Sequence, residues 1–474
     1  MRKSLPVWLA GILALTGTST TPAWAQPAQT ETLPATFDLR TVGGVTPVKQ
    51  QLGGTCWTHG TMAAMESNLL VTGQWKKLNM LRLPALSEYH LDWWNGFNQH
   101  ANEDVQDPAN DKAALRVHVG GDYRVAAAYL SRGDGAVVIS GTDVRRPNIK
   151  EWHPKAPAKL DPTYKRLYVR DIEWFTIGDN LEGIDLIKKR IMTEGAIGTC
   201  YAAGGAKNLS TDFIHYQPRD TNQDPNHAVA IIGWDDHKVT VDRRRRGLVK
   251  AGAWLIKNSW GVKRGEEGYY WISYYDKHCC RHEEMGAVSF RNLEPMIYSR
   301  IYYHDAHGWR DTMKDVSKAF NAFKSSGRHT VKAVSFYTAQ HNVNYTLKVY
   351  STFENGKLSG ELVSQNGTID YCGLHTIDLR APVKLKENDQ FYVYVELSAG
   401  GHAIDRTSEI PVLLGQGKKQ GKNIVTSRAN AGESYYLDGK EWKDLYNYRF
   451  TNPAWGTFDQ TANFCMKALA VETP

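Results

Sequence analysis

Cysteine is scarce in this chain, six residues in 474, and long apolar runs are missing. Beyond the N-terminal stretch, no segment reaches the ~18 consecutive apolar residues of a membrane-spanning helix. A strong charge of one sign is missing too: 57 Lys and Arg stand against 50 Asp and Glu, a net +7. With no basic stripe interleaved with aromatics, that balance argues against a nucleic-acid partner. No fixed-period repeat is apparent. No Cys/His group has the spacing of a tetrahedral zinc site either. The stretch His278-Cys279-Cys280-Arg281-His282 crowds its ligands too closely, so neither metal nor cofactor is expected. Aromatics, by contrast, are plentiful, 15 Trp, 24 Tyr and 13 Phe, which excludes long disordered stretches. The length suggests two or three domains.

The N-terminus has the charged, apolar and small-residue order of a secretory signal peptide. Arg2 and Lys3 precede the apolar stretch Leu5 to Leu15, and Ala23-Trp24-Ala25 offers a cleavage site. This reads residues 1–25 as a signal peptide and 26–36 as a short leader. The mature protein is then expected to be secreted or periplasmic, with no membrane span. In that compartment the bland expectation is that cysteines pair. A disulfide from one of the adjacent Cys279 and Cys280 is favoured over a metal there.

Residues 37 to about 294 mix two kinds of stretch. "AAMESNLL" and "YRVAAAYLSR" read as helices, while "HAVAIIGW", "AWLIKNSW" and "GYYWISYYD" read as strands, the first buried on both faces. From about residue 295 the texture changes to β-branched and aromatic strands, "VKAVSFYT", "YTLKVYST" and "FYVYVELS". This predicts a separate antiparallel β-sandwich over 295–474. The basic run "DRRRRG" at 242–247 reads as a solvated loop.

The stretch "PVKQQLGGTCWTHG" at 47–60 holds the most pointed chemistry. Glycines before Cys56 permit a tight turn, and the helix-like run after it places the sulfur at a helix start, where the thiolate is favoured. A nucleophilic thiol needs a base near it in space, a group that orients the base, and donors for the oxyanion. His227, opening a buried strand, and Asn258, following the run "AWLI", fit the first two roles. Trp260 is placed to shield the His–Asn hydrogen bond from water. A glutamine side chain with the Cys56 N–H fits the third.

"LPATFDLR…GVTPVKQQLGGTCW", "NHAVAIIGW" and "WLIKNSWG…GEEGYYWI" resemble, in order, the three signature regions of papain-family (C1) cysteine peptidases. Leu86-Ser87-Glu88 also matches. The resemblance spans roughly residues 33 to 290. It implies an α+β fold with a papain-like two-lobed catalytic domain, a helical lobe plus a β-barrel-like lobe, over 37–294. It also implies Cys56 as nucleophile, His227 as general base and acid, and Asn258 as the orienting residue. Gly120 and Gly121 resemble the strand lining the non-primed substrate subsites, with Trp260 also beside the substrate. The family's oxyanion Gln lies six residues before the Cys, at Gln50, whereas the local "PVKNQG" pattern aligns Gln51. Gln50 is favoured because the loop length sets where the amide can reach.

The chain also departs from the family pattern. Gly53 stands where a cysteine is common, and His59 where an aromatic is usual. As a rival base, His59 sits one turn along the nucleophile's own helix and cannot easily cross the cleft. His227 and Asn258 lie 171 and 202 residues after Cys56, beyond the ~130–150 of papain-like chains. Insertions around 92–118, 140–170 and 236–251 account for the excess and are expected to flank the cleft. The leader has no room for a long inhibitory propeptide, so any latency must arise another way.

The C-terminal domain resembles the lectin-like domain that follows the peptidase in some bacterial members. That resemblance makes a Cys372–Cys465 disulfide reasonable, and Trp309 and Trp442 candidates for binding a glycan or cell-wall ligand; a purely structural β domain is the plainer reading. The expected function is therefore an exported thiol peptidase acting on peptides or proteins through a Cys56 thioester. The alternatives are a transpeptidase or transamidase using the same three residues, or a carbohydrate- or surface-binding protein with a vestigial peptidase domain.

Overall fold

The helix Cys56–Val71 is the axis of the N-terminal half. Thirteen of its residues are buried, several of them polar, so each polar group has to be satisfied inside the protein. The Ser67 hydroxyl donates to the Gly44 carbonyl at 2.6 Å and accepts from the Ala196 N–H at 2.8 Å. The Asn68 amide donates to the Glu194 carbonyl at 2.7 Å. These bonds tie the helix to the first strand-bearing segments around it. The short helices Glu88–Trp94 and Tyr123–Ser131 complete the helical lobe; Ser87 and Asp122 cap them by accepting from the His90 and Val125 N–H groups.

This computed structural model describes residues 32–78, 83–139, 153–204, 208–242, 247–416, 423–450 and 461–473. The signal peptide and most of the leader read from the sequence, the core of the basic run at 243–246 and the first part of the 140–170 insertion, 140–152, lie outside the described residues. Among the described residues, no helix is long and apolar enough to cross a membrane.

The strand His227–Asp235 pairs with Ile197–Tyr201 on one side and Ala253–Lys257 on the other, and Tyr269–Ser273 extends the sheet. Its near-unbroken burial matches its apolar sequence. The sequence predicts these strands, the helices and the three C-terminal strands where they occur.

The sheet does not stop at the end of the N-terminal half. Lys165–Phe175 pairs with Ala287–Pro295 along one edge and with Gly373–Leu385 along the other. Gly373–Leu385 in turn pairs with His329–Thr338, which pairs on its other side with Met466–Glu472. One layer of the C-terminal sandwich therefore continues the N-terminal sheet. The facing layer runs Lys357–Ile369, Val343–Glu354, Gln390–Leu397, Lys318–Lys324, Ser434–Asp438 and Glu441–Asp444. Val334 and Phe336 of the first layer meet Leu347, Val349, Phe391 and Val393 of the second in one buried cluster, as an antiparallel sandwich requires.

All six cysteines are free thiols, which corrects the expected disulfides. Cys372 immediately precedes the strand that pairs with His329–Thr338 on one side, and Cys465 the strand that pairs with it on the other. Two strand spacings, about 9–10 Å, separate them, whereas a disulfide needs α-carbons within about 7 Å. Cys279 and Cys280 are both buried in the core of the N-terminal half.

Candidate functional site

Cys56 is the first residue of its helix, and Thr55 before it makes no side-chain cap. The N–H groups of the first turn are thus left for the sulfur and whatever sits against it. The Ala228 N–H also points at Sγ, 3.4 Å away. These donors favour the thiolate, but burial outweighs them and pushes the thiol up to about 12. Cys56 is fully buried.

The helix and the strand meet here because Cys56 begins one and His227 begins the other. His227 Nε2 is 2.8 Å from Asn258 Oδ1. Asn258 follows directly on the strand Ala253–Lys257 and is anchored by its N–H to the Gly268 carbonyl. The Trp260 ring stacks on the imidazole, centroids 4.3 Å apart, and is 38% exposed, covering the His–Asn pair from solvent. Burial pulls the His227 pKa down to about 4, against the Asn258 hydrogen bond, so the imidazole is neutral in this closed arrangement. Because Asn258 Oδ1 can only accept, Nε2 carries the proton and Nδ1 keeps its lone pair.

The two glutamines separate clearly. Gln51 is tied down: its amide donates to the Gly53 carbonyl at 2.9 Å, and its oxygen accepts from Ser259 Oγ at 2.6 Å. Gln50 is exposed and bridges to Trp260 through its backbone; both glutamines line a cavity of about 750 Å³ with Tyr201, Phe213, Trp260 and Tyr270. Its carboxamide holds no hydrogen bond among the described residues. His59 is buried and turned back on its own helix, Nδ1 2.8 Å from the Thr55 carbonyl. Burial lowers its pKa to about 4. Gly120 and Gly121 lie beside Gly54, but a segment of the C-terminal half already runs along them, and Gly121 forms an antiparallel bridge with Leu414.

Beneath the site lies a buried charge cluster that the sequence reading missed. Lys49 Nζ is 2.6 Å from both Glu66 Oε1 and Glu88 Oε1. Thr46 donates to Glu66 at 2.6 Å and accepts from Lys257 Nζ at 2.8 Å. Burial lowers Lys257 to about 8. Glu66 belongs to the nucleophile's helix and Lys257 adjoins Asn258, so the cluster fixes one against the other. Asn226 was missed as well. Its side chain clamps the Ala203 backbone in both directions, which sets the carbonyl just before His227; only its place beside the histidine could have flagged it.

Trp309 and Trp442 are both half-buried rather than free platforms. Trp309 stacks on the Arg124 guanidinium at 4.4 Å and donates to Thr312. Trp442 packs edge-on against Phe320.

A thiol at a helix start, facing a strand that begins with an Asn-oriented histidine under a tryptophan, defines the papain-like class of fold. Comparison with known proteins agrees. The family profile "Papain family cysteine protease" matches residues 168–289, and "Lectin like domain" matches 301–470. The chain carries a papain-family cysteine protease domain followed by a lectin-like domain. It is 26% identical over 272 residues to the probable cysteine protease RD19D of Arabidopsis thaliana, covering 57% of this chain and 64% of the relative. To cysteine proteinase 15A of Pisum sativum it is 28% identical over 256 residues, covering 53% and 61%. The match thus spans less than two thirds of these curated relatives. Among solved structures, the cysteine protease Cwp84 after propeptide cleavage superposes with a TM-score of 0.67 over 92% of this chain and 99% of that one. A second Cwp84 structure, of its cysteine protease and lectin-like domains, gives 0.67 over 93% and 89%. At 22% identity, what these two share with the chain is the fold.

Proposed function

We propose that the chain is an exported thiol peptidase that cleaves peptide bonds through an acyl-enzyme on Cys56. The observation that carries this reading is the 2.8 Å bond between His227 Nε2 and Asn258 Oδ1, because it leaves Nδ1 as the free base beside a helix-start thiol. Nδ1 takes the thiol proton and the sulfur attacks the substrate carbonyl. The oxyanion accepts from the Cys56 N–H and the Gln50 carboxamide. His227 then protonates the departing amine, leaving a thioester, and water activated by the same imidazole releases the acid. Asn258 acts as a positioning residue, and Trp260 keeps its bond to His227 dry. On this reading residues 37–294 supply the chemistry and 295–474 the accessory domain.

Export is supported by the charged, apolar and small-residue order of the N-terminus. It also fits the neighbour Cwp84, described as a surface layer associated protein of Clostridium difficile. The test is labelling by a thiol-directed peptidyl electrophile, repeated with Cys56→Ala, His227→Ala and His59→Ala. Labelling and peptide hydrolysis should vanish with the first, collapse with the second and persist with the third. Hydrolysis that survives Cys56→Ala overturns the reading. Product analysis with an added amine separates hydrolysis from transfer to an acceptor.

A further inference from the structure

The segment 412–416 of the C-terminal half crosses the site, pairing through Leu414 and turning at Gly415. The Leu414 N–H donates to the Gly121 carbonyl at 2.9 Å, and the Gly121 N–H returns a bond to the Leu414 carbonyl at 3.2 Å. The next residue, Gly415, donates its N–H to the Asn226 carbonyl at 2.7 Å. That is the hydrogen-bonding mode of a peptide added as a strand to an exposed edge. Each anchor adjoins the machinery: Asn226 precedes His227, and Gly415 runs against Gly54, two residues before Cys56.

Approach this close works only between glycines. A β-carbon on Gly54 would lie 2.3 Å from the Gly415 oxygen, and one on Gly415 would lie 2.2 Å from the Gly54 oxygen. Gly415 also holds φ at +101°, which other residues avoid. On the side-chain level, Val412 and Leu414 are buried in the same cluster as Cys56 and Trp57. The 750 Å³ cavity beside Gln50 and Trp260 has none of these segment residues in its lining, so the segment fills the Gly54–Gly121 side of the site and leaves the Gln50–Trp260 side open.

We propose that Val412–Gly415 is a resident, substrate-like occupant of the peptidase cleft, holding the intact chain latent until it is displaced. This rests on the peptidase reading only for the word latent; the occupancy stands on the contacts above. The ligand it imitates is an extended peptide with an aliphatic residue at the place of Leu414 and glycine at the place of Gly415. The full burial of Cys56 and its raised pKa agree with a site closed by this segment.

The test reads access to Cys56 rather than turnover. Iodoacetamide labelling of the folded full chain is followed by peptide mapping in wild type, Leu414→Asp and Gly415→Val. Cys56 should label at least tenfold faster in both variants, and excess acetyl-Val-Leu-Leu-Gly should slow that labelling again. Equal rates in wild type and folded variants overturn the proposal. If neither variant folds, amide hydrogen exchange of the wild type decides it. Leu414 and Gly415 amides protected as strongly as the neighbouring sheet support the occupancy, and exchange at open-loop rates overturns it. A variant whose Cys56 opens but which hydrolyses no peptide refutes the peptidase function while leaving the occupancy standing.

Discussion

Replacing Glu66 by Gln tests how the charge cluster beneath the site holds the nucleophile's helix. Glu66 accepts from Thr46, Lys49 and the Leu86 N–H, each at 2.6–2.8 Å, and is fully buried. With Lys257 protonated, two positive charges face two negative ones, so Glu66→Gln keeps the shape and leaves one buried cation uncompensated. Removing one partner of such a buried pair costs about 3–5 kcal/mol. Lys257 offers a way out, because its pKa is already down to about 8 and Glu66 is one of the groups holding it up. Above pH 8 the wild-type lysine is itself neutral and the cluster carries an excess negative charge, so losing Glu66 there forfeits little beyond its hydrogen bonds, about 1.5–3 kcal/mol. The cost of Glu66→Gln should therefore be about 4 kcal/mol at pH 6 and about half that at pH 9. Guanidinium denaturation followed by tryptophan fluorescence at the two pH values measures it. Adding Lys257→Met to Glu66→Gln should recover stability at pH 6, since it restores charge balance. A cost that is the same at both pH values, or a double variant weaker than Glu66→Gln alone, refutes this account of the cluster.

Burial holds His59, His90, His227 and His402 neutral, each with its pKa lowered to about 4. The unfolded chain binds those protons near pH 6.5, so stability is complete above that pH and is lost as pH falls toward 4. Denaturant midpoints at pH 7, 6 and 5 should drop in sequence; a flat series contradicts the burial argument. Gln50→Ala should lower kcat by about 10²–10³ with the fold intact, as the loss of one oxyanion donor does. Gln51→Ala should instead cost about 1 kcal/mol of stability for each bond lost, to Ser259 and Gly53; the reverse pattern reassigns the donor. Thiol titration of the unreduced, denatured protein should count six free thiols, and a Cys372–Cys465 cross-linked peptide in a digest would contradict the strand placement.

The parts of the site legible in the sequence are those encoded locally. A turn of glycines before a thiol, an apolar run behind a histidine and an apolar run before an asparagine each specify their own strand or helix end. The pairing of Gly373–Leu385 with Lys165–Phe175 was not legible, because it joins residues some 200 apart whose alternating patterns fit many partners. Cysteine pairing failed for a related reason: composition and compartment indicate whether thiols pair, but only strand order shows that Cys372 and Cys465 flank a common neighbour. The charge cluster escaped because Lys49, Glu66, Glu88 and Lys257 each look like a solvated surface residue when read alone. Val412–Gly415 reads as an ordinary apolar loop, and nothing within it says which groove its backbone will enter.

The strand Lys165–Phe175, hydrogen-bonded to the peptidase on one edge and to the lectin-like half on the other, makes the two halves poor candidates for exchange between proteins. A recombination event or an engineered truncation near residue 295 strips this strand of one neighbour and leaves an unpaired edge, which invites aggregation. Modules joined by a linker can be shuffled as beads; these two are woven, and their sequences have to change together.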